Sequence, residues 1–234
     1  MQKLSLAITT FNRFDLTIKS FEKVIDDERI DEILIVDDCS TDLSGFRLAE
    51  YFKDNPKVKV IIQGKNRSMK QNKADSVSFA KNEWIVLLDS DNEISSGYID
   101  AIEALEMLHS HVIYAPVRAL PTFIYDDFSG VTITKENVSG YVKRPFFGAM
   151  INTCNYLLNR NFYLENYKFE EKVKGVDTAT HFVRHIENGG WFHIVPNMEY
   201  FHLTHSGSEF MKEIDYNMAM AKEIDEKLLV MSNT

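Results

Sequence analysis

Cysteine is nearly absent: Cys39 and Cys154 are the only two in 234 residues. They stand far apart, in no metal-binding or redox spacing, and read as reduced thiols of a cytoplasmic protein. Long apolar runs are also missing, since nothing approaches the roughly 18 residues a membrane-spanning helix needs. The start, Met1-Gln2-Lys3 before a short strand-like segment, lacks the apolar centre of a signal peptide. Basic charge is in deficit, with 26 Lys and Arg against 35 Asp and Glu and a net charge of −9. That argues against general nucleic-acid binding, which needs a basic footprint, and against a broad polybasic membrane surface. There is no low-complexity segment and no clear linker. The cytoplasm is the expected location, compatible with peripheral membrane contact.

What remains is ordinary in composition and ordered in pattern. Hydrophobic content of 44% and charged content of 26% suit a soluble globular chain with a substantial core. Four β-rich apolar segments open the chain, at Leu4–Ile8, Ile33–Val36, Val58–Ile62 and Trp84–Leu88. Helix-like patterns fill the gaps at Asp15–Ile25, Leu43–Phe52 and Lys70–Ala80, with Asp15 and Asp42 as candidate N-caps. Strand alternating with helix at this spacing predicts βαβ units joined into a parallel sheet. Four loops, Thr9–Arg13, Asp37–Asp42, Gly64–Ser68 and Asp89–Glu93, then emerge at one rim, where such sheets bind ligands.

The rim loop Asp89-Ser90-Asp91 directly follows the buried run Trp84–Leu88. Paired carboxylate oxygens suit Mg²⁺ or Mn²⁺, which share their coordination with substrate phosphates. With 17 Asp in the chain an Asp-x-Asp triplet arises about once by chance, so its position carries the argument.

Beyond residue 95 the rhythm breaks. A helix is expected at about Gly97–Leu108, strands at His111–Ala115 and Phe146–Ile151, and a long binding loop between them from Pro121 to Arg144. Further on come a helix at Asp177–Glu187 and strands near Trp191–Val195 and Glu199–Leu203. The last segment, Ser208–Met231, reads as an amphipathic helix packing on the body or on a second subunit. His181 and His185 lie four apart on one helical face, but Phe182-Val183-Arg184 between them lacks the Glu of a zincin. They read as a helix-surface pair.

Three motifs in order carry a resemblance. Ile8-Thr9-Thr10-Phe11-Asn12-Arg13 is similar to an opening Pro-Thr-Tyr-Asn-Arg, and Val36-Asp37-Asp38-Cys39-Ser40-Thr41-Asp42 to Val-Asp-Asp-Gly-Ser-Thr-Asp. Asn66 through Asp91 aligns without a gap to a segment ending Leu-Asp-Ser-Asp. Together these resemble the family 2 glycosyltransferases. The resemblance implies an α/β, Rossmann-like GT-A fold in a single domain, with a mostly parallel central sheet, flanking helices and a C-terminal helix. Residues 1–95 would form the nucleotide-sugar-binding half, 96–208 the acceptor-binding half and 209–231 the terminal helix.

It also implies roles. Thr9 and Phe11 would flank a uracil, Phe11 as a stacking face, with Arg13 in the same donor-binding loop. Asp38 would accept the uracil N–H, a charge-assisted contact. The segment Asp37–Asp42 also reads as a plain turn with a helix cap. Lys73 stands where relatives usually have an Arg that reaches the donor, and lysine cannot supply a bidentate contact. Asp89 and Ser90 would contact the donor, Asp91 would bind Mn²⁺ or Mg²⁺, and His205 (or His202) would complete the metal site. Lys65, Arg67 and Lys70 are near enough to help neutralise a diphosphate, and equally readable as a solvated face.

Gly175-Val176-Asp177 followed by Arg184 resembles the family's Glu-Asp…Arg segment, which makes Asp177 the general base. It reads equally as a helix N-cap. Val176 stands where an acid is frequent.

The implied activity is an inverting, metal-dependent transfer from a nucleotide diphosphate sugar, UDP-sugar first, to a hydroxyl of a glycan or glycolipid in cell-surface polysaccharide synthesis. A nucleotidyltransferase would need a Gly-rich first loop, and Thr9–Arg13 has no Gly. A haloacid-type phosphatase carries its Asp-x-Asp after the first strand, not the fourth. A nucleotide-sugar-binding module without turnover is the remaining alternative. An oligomer through the terminal helix is compatible with the pattern.

Overall fold

Leu4–Thr10 (β1) is buried at every position, because both faces of the sheet through it are covered. The computed structural model describes residues 2–203 and 209–231. After β1 come α1 (Phe14–Phe21), β2 (Ile30–Asp37), α2 (Ser44–Tyr51), β3 (Val58–Ile62), α3 (Met69–Phe79) and β4 (Trp84–Asp89). These strands pair in the order β3-β2-β1-β4, all parallel. The strand-and-helix alternation expected from the sequence is therefore present through residue 89.

Alternate residues of these strands face opposite cores. Leu6, Ile8, Ile33, Ile35, Val86 and Leu88 pack on one side, while Ala7, Leu34, Val36, Ile85 and Leu87 pack on the other. Each fully buried aliphatic side chain contributes about 1.5–3 kcal/mol, so both faces of these strands stabilise the sheet.

The second half comprises β5 (Asn92–Glu93), α4 (Ser96–Glu103), β6 (Val112–Leu120), β7 (Phe123–Ile124), β8 (Thr132–Ile133), α5 (Phe147–Asn152) and β9 (Tyr156–Asn159). Then follow α6 (Arg160–Asn166), α7 (Asp177–Glu187), β10 (Trp191–His202), α8 (Glu209–Lys212) and α9 (Ile214–Met231). The sheet continues as β4-β9-β6-β10-β5, with β9 antiparallel to both β4 and β6. The sheet is thus mixed, parallel in its first half and interrupted by β9 in its second.

Several expectations fail here, each for a physical reason. Phe146–Ile151 was expected as a strand, yet Phe147, Met150 and Ile151 recur at three- and four-residue spacing and bury one face of helix α5. The strand lies later, in the four residues of β9. The two strands expected near Trp191 and Glu199 are one strand, β10, whose register with β6 shifts between Val195 and Glu199. Pro196 sits in that irregularity, where a missing N–H costs no ladder bond. The terminal helix is broken into α8 and α9, and Ile224, Leu228 and Met231 of α9 belong to the core of the same chain. One apolar face of the helix is thus used on the body, the first of the two settings that the pattern allowed. His181 and His185 are buried, not on the surface. His181 packs on Tyr163 with ring centroids 4.3 Å apart, and His185 Nε2 lies 2.9 Å from the Trp191 carbonyl. Burial drives their pKa values down to about 3 and about 4, so both imidazoles are neutral.

Helix α2 starts tightly against the end of β2. The Asp37 carboxylate accepts the Ser40 N–H at 2.9 Å, and a Cβ on Gly45 would stand 2.7 Å from Asp37 Cγ. Alanine at 45 would gain about 1 kcal/mol of helix propensity. The overpacking costs about 1–3 kcal/mol, so Gly45→Ala should lower the melting temperature. A thermal melt equal to or above the parent would show that this turn has slack.

Candidate active site

The strand order reverses between β1 and β4: β2 and β3 lie to one side of β1, β4 to the other. At such a switch point the loops leaving adjacent strands part and open a crevice at their carboxyl ends. Thr9 is in register with Val36 on one side and Asp89 on the other, so the three strands end level at that crevice.

The rim loops are tied to one another there. Asn12 N–H donates to Ser40 Oγ at 2.7 Å, and Thr41 N–H donates to Asn12 Oδ1 at 2.8 Å. Arg67 N–H donates to Asp38 Oδ1 at 2.6 Å, and Asn66 Nδ2 donates to the Asp38 carbonyl at 3.1 Å. Arg13 Nη1 reaches Asp91 Oδ2 at 2.7 Å across 78 residues of chain. All four loops expected at one rim are therefore linked there.

The expected site residues among those described each have a definite setting. Thr9 is buried at the end of β1, while Phe11, in the loop that follows, is 41% exposed. Asp38 is buried, and that desolvation raises its pKa against the opposing pull of the Arg67 N–H. A carboxylate has two oxygens and about four acceptor sites, so the Arg67 contact leaves Asp38 capacity for a further donor. Ser90 is buried with no partner for Oγ among the described residues. The terminal carboxylates of the Asp-Ser-Asp loop are both held by cations: Asp91 by Arg13, Asp89 by Lys73 at 3.4 Å.

Lys73 also meets Asp177 Oδ2 at 3.3 Å, and its side chain is 5% exposed. Burial opposes its charge, but Asp177 and Asp89 together outweigh that and hold its pKa well above the usual lysine value. Burial raises the Asp89 pKa in turn, against the pull of Lys73. Asp177 is the first residue of α7, whose N-cap is Val176 and carries no side-chain cap bond. The plain-cap reading of Asp177 therefore falls: its carboxylate points to Lys73. Beneath it lies a cavity of about 30 Å³, lined by Lys73, Asp177, Thr178, Tyr163 and His181, enough for one or two waters.

Sequence reasoning missed three supports. Asn155 Oδ1 accepts the Asp89 N–H at 2.9 Å, and its carbonyl accepts Tyr98 Oη–H at 2.7 Å, fixing the end of β4. Lys70 is not a freely solvated cation. Its Nζ donates to the carbonyls of Glu170, Glu171 and Val173, clamping the segment before α7 onto α3. Asn217 Oδ1 accepts the Gly175 N–H at 3.1 Å, tying α9 to the residues before Asp177. No local pattern announces any of them, because each joins segments far apart in the chain.

The chemistry of these donors suits a divalent ion. Carboxylate oxygens at the end of β4 are the hard ligands Mn²⁺ and Mg²⁺ prefer, and such ions take waters and phosphates for the rest. Asp91 already accepts a cationic group at 2.7 Å, so the position attracts positive charge. Among the described residues no three His, Cys, Asp or Glu cluster as a complete metal site. His202 is adjacent, paired in register with Asn92, and its Nδ1 lies 3.0 Å from Asn92 Oδ1. His205, the first-choice histidine, lies outside the described residues. The donors fit an ion completed by substrate.

Residues 5–119 match the profile of Glycosyl transferase family 2. Over this stretch the chain belongs to that family. A curated relative in Campylobacter jejuni, GalNAc(5)-diNAcBac-PP-undecaprenol beta-1,3-glucosyltransferase, is 27% identical over 181 residues. That match covers 75% of this chain but 57% of the relative, so the chain spans little more than half of that protein's length. Among solved structures, S. aureus TarS 1–349 in complex with UDP-GlcNAc superposes with a TM-score of 0.71 at 16% identity, covering 99% of this chain and 71% of that one. The mannosyltransferase PcManGT from Pyrobaculum calidifontis, in complex with GDP-Man and Mn²⁺, gives 0.69 at 13% identity, over 98% and 70%. At these identities the likeness speaks for the fold, which is GT-A. No helix among the described residues is long and apolar enough to cross a membrane.

Proposed function

We propose that this family 2 glycosyl transferase moves one sugar from a nucleoside diphosphate donor, a UDP-sugar, to a hydroxyl of a glycan or glycolipid, with inversion at the transferred carbon. One observation carries the reading: Lys73 bridges Asp89 and Asp177, so the donor-side acid and the candidate base meet at the crevice where Asp91 also stands. Phe11 and Asp38 support a uracil at the other end, one as a ring face, the other as an acceptor for the imide N–H.

Asp177 takes the proton of the acceptor hydroxyl as its oxygen bonds to the anomeric carbon. The bond from that carbon to the diphosphate oxygen breaks, and the nucleoside diphosphate leaves from the opposite face. Asp89 orients the donor sugar or its ribose. Asp91 would hold Mn²⁺ or Mg²⁺, with a histidine of the segment after β10, and the ion would stabilise charge on the departing diphosphate. Asn155 and Arg13 keep the two acids aligned. A lipid-linked acceptor is in keeping with the Campylobacter relative's name, and with polysaccharide or glycolipid synthesis at the cytoplasmic face of a membrane that the protein touches peripherally.

The test is UDP release from a panel of UDP-sugars with Mn²⁺ and a glycolipid acceptor. Release that rises with acceptor is the expected result. Binding of UDP-sugars with no release under any acceptor would instead make the chain a nucleotide-sugar-binding module.

A further inference from the structure

We propose that Lys73 is a positioning residue, whose one ammonium, fixed between Asp177 and Asp89, sets the separation of the base from the donor sugar. The proposal rests on Asp177 being the base. Three elements meet at this ammonium: α3 carries it, β4 ends at Asp89, and α7 begins at Asp177. The contacts are 3.4 Å to Asp89 Oδ1 and 3.3 Å to Asp177 Oδ2, and the side chain is almost wholly enclosed.

The chemistry of the side chain suits that role better than a donor contact. A planar guanidinium matches the paired oxygens of one phosphate, whereas an ammonium is a compact charge with three rotatable donors. It can serve two separate carboxylates at once. Without it, Asp89 and Asp177 repel each other and the base drifts from the reacting carbon. A shift of about 1 Å in such a group can cost about 10²-fold in rate.

Lys73→Met, Asp177→Asn and the double variant would be compared for UDP affinity with Mn²⁺, for transfer, and for donor hydrolysis without acceptor. The donor is whichever UDP-sugar turns over in the panel above. Lys73→Met should lose about 10²-fold in transfer, keep its UDP affinity, and lose far less in hydrolysis, which needs no aligned acceptor. Adding it to Asp177→Asn should cost little more, and Lys73→Arg should recover part of the transfer. UDP affinity that falls in step with transfer would overturn the proposal and make Lys73 a donor contact. Equal losses in transfer and hydrolysis at unchanged affinity would overturn it too.

If Lys73→Met does not fold, the double variant decides. It removes one facing charge as well, and retained UDP binding there supports the proposal while lost binding overturns it. Full transfer by Asp177→Asn alone would remove the base reading and this proposal together. An inactive Asp177→Asn with donor-binding loss in Lys73→Met would remove only this one.

Discussion

Asp177→Asn should lower transfer by about 10²- to 10⁴-fold, the range a positioned general base contributes, while UDP binding with Mn²⁺ persists. The substitution keeps shape while removing the carboxylate's charge and its ability to take a proton. It leaves the N-cap of α7 in place, because Val176 holds that position, and removes a first-turn charge worth about 0.3–1 kcal/mol. Lys73 keeps one carboxylate partner in Asp89 at 3.4 Å, so its charge is not stranded. Steady-state transfer measured beside a thermal melt checks both halves. Near-parental transfer in a folded Asp177→Asn protein would move the base elsewhere.

Asp91→Asn should remove metal-dependent turnover. An ion acting as Lewis acid on a leaving diphosphate contributes several kcal/mol, and about 4 kcal/mol corresponds to roughly 10³-fold in rate. The fold should survive, since the Arg13–Asp91 pair is partly exposed and such pairs are worth about 1 kcal/mol or less. Rates measured across a Mn²⁺ titration give the check. A variant with the parental rate and parental Mn²⁺ dependence would take Asp91 out of the mechanism.

The first ninety residues were readable because burial on both faces forces a simple code. Leu4–Thr10 and Trp84–Asp89 are buried, mostly apolar strands ending in polar loops, and strand spacing alone brings those loops to one rim. The rest was less readable. Helix α5 and strand β9 are short, six and four residues, so periodicity has few positions on which to act. The Phe146-Phe147 pair looks strand-like until Met150 and Ile151 are counted with it. The Lys73–Asp177 contact spans 104 residues and has no local signature. Lys73 looked like a weak substitute for a donor-binding arginine, and only packing gives it two carboxylates. Lys70 misled in the same way, because a lysine clamping three carbonyls is spelled like one waving in water.

The glycine before the α7 N-cap carries a quieter implication. A side chain at 175 would begin 2.6 Å from the Phe210 Cα, and Asn217 already grips its amide. Positions 175, 210 and 217 are therefore interlocked like a key and its wards, two residues upstream of Asp177. Drift in any one must be answered by the others, so a displacement of the terminal helices is passed on to the start of α7.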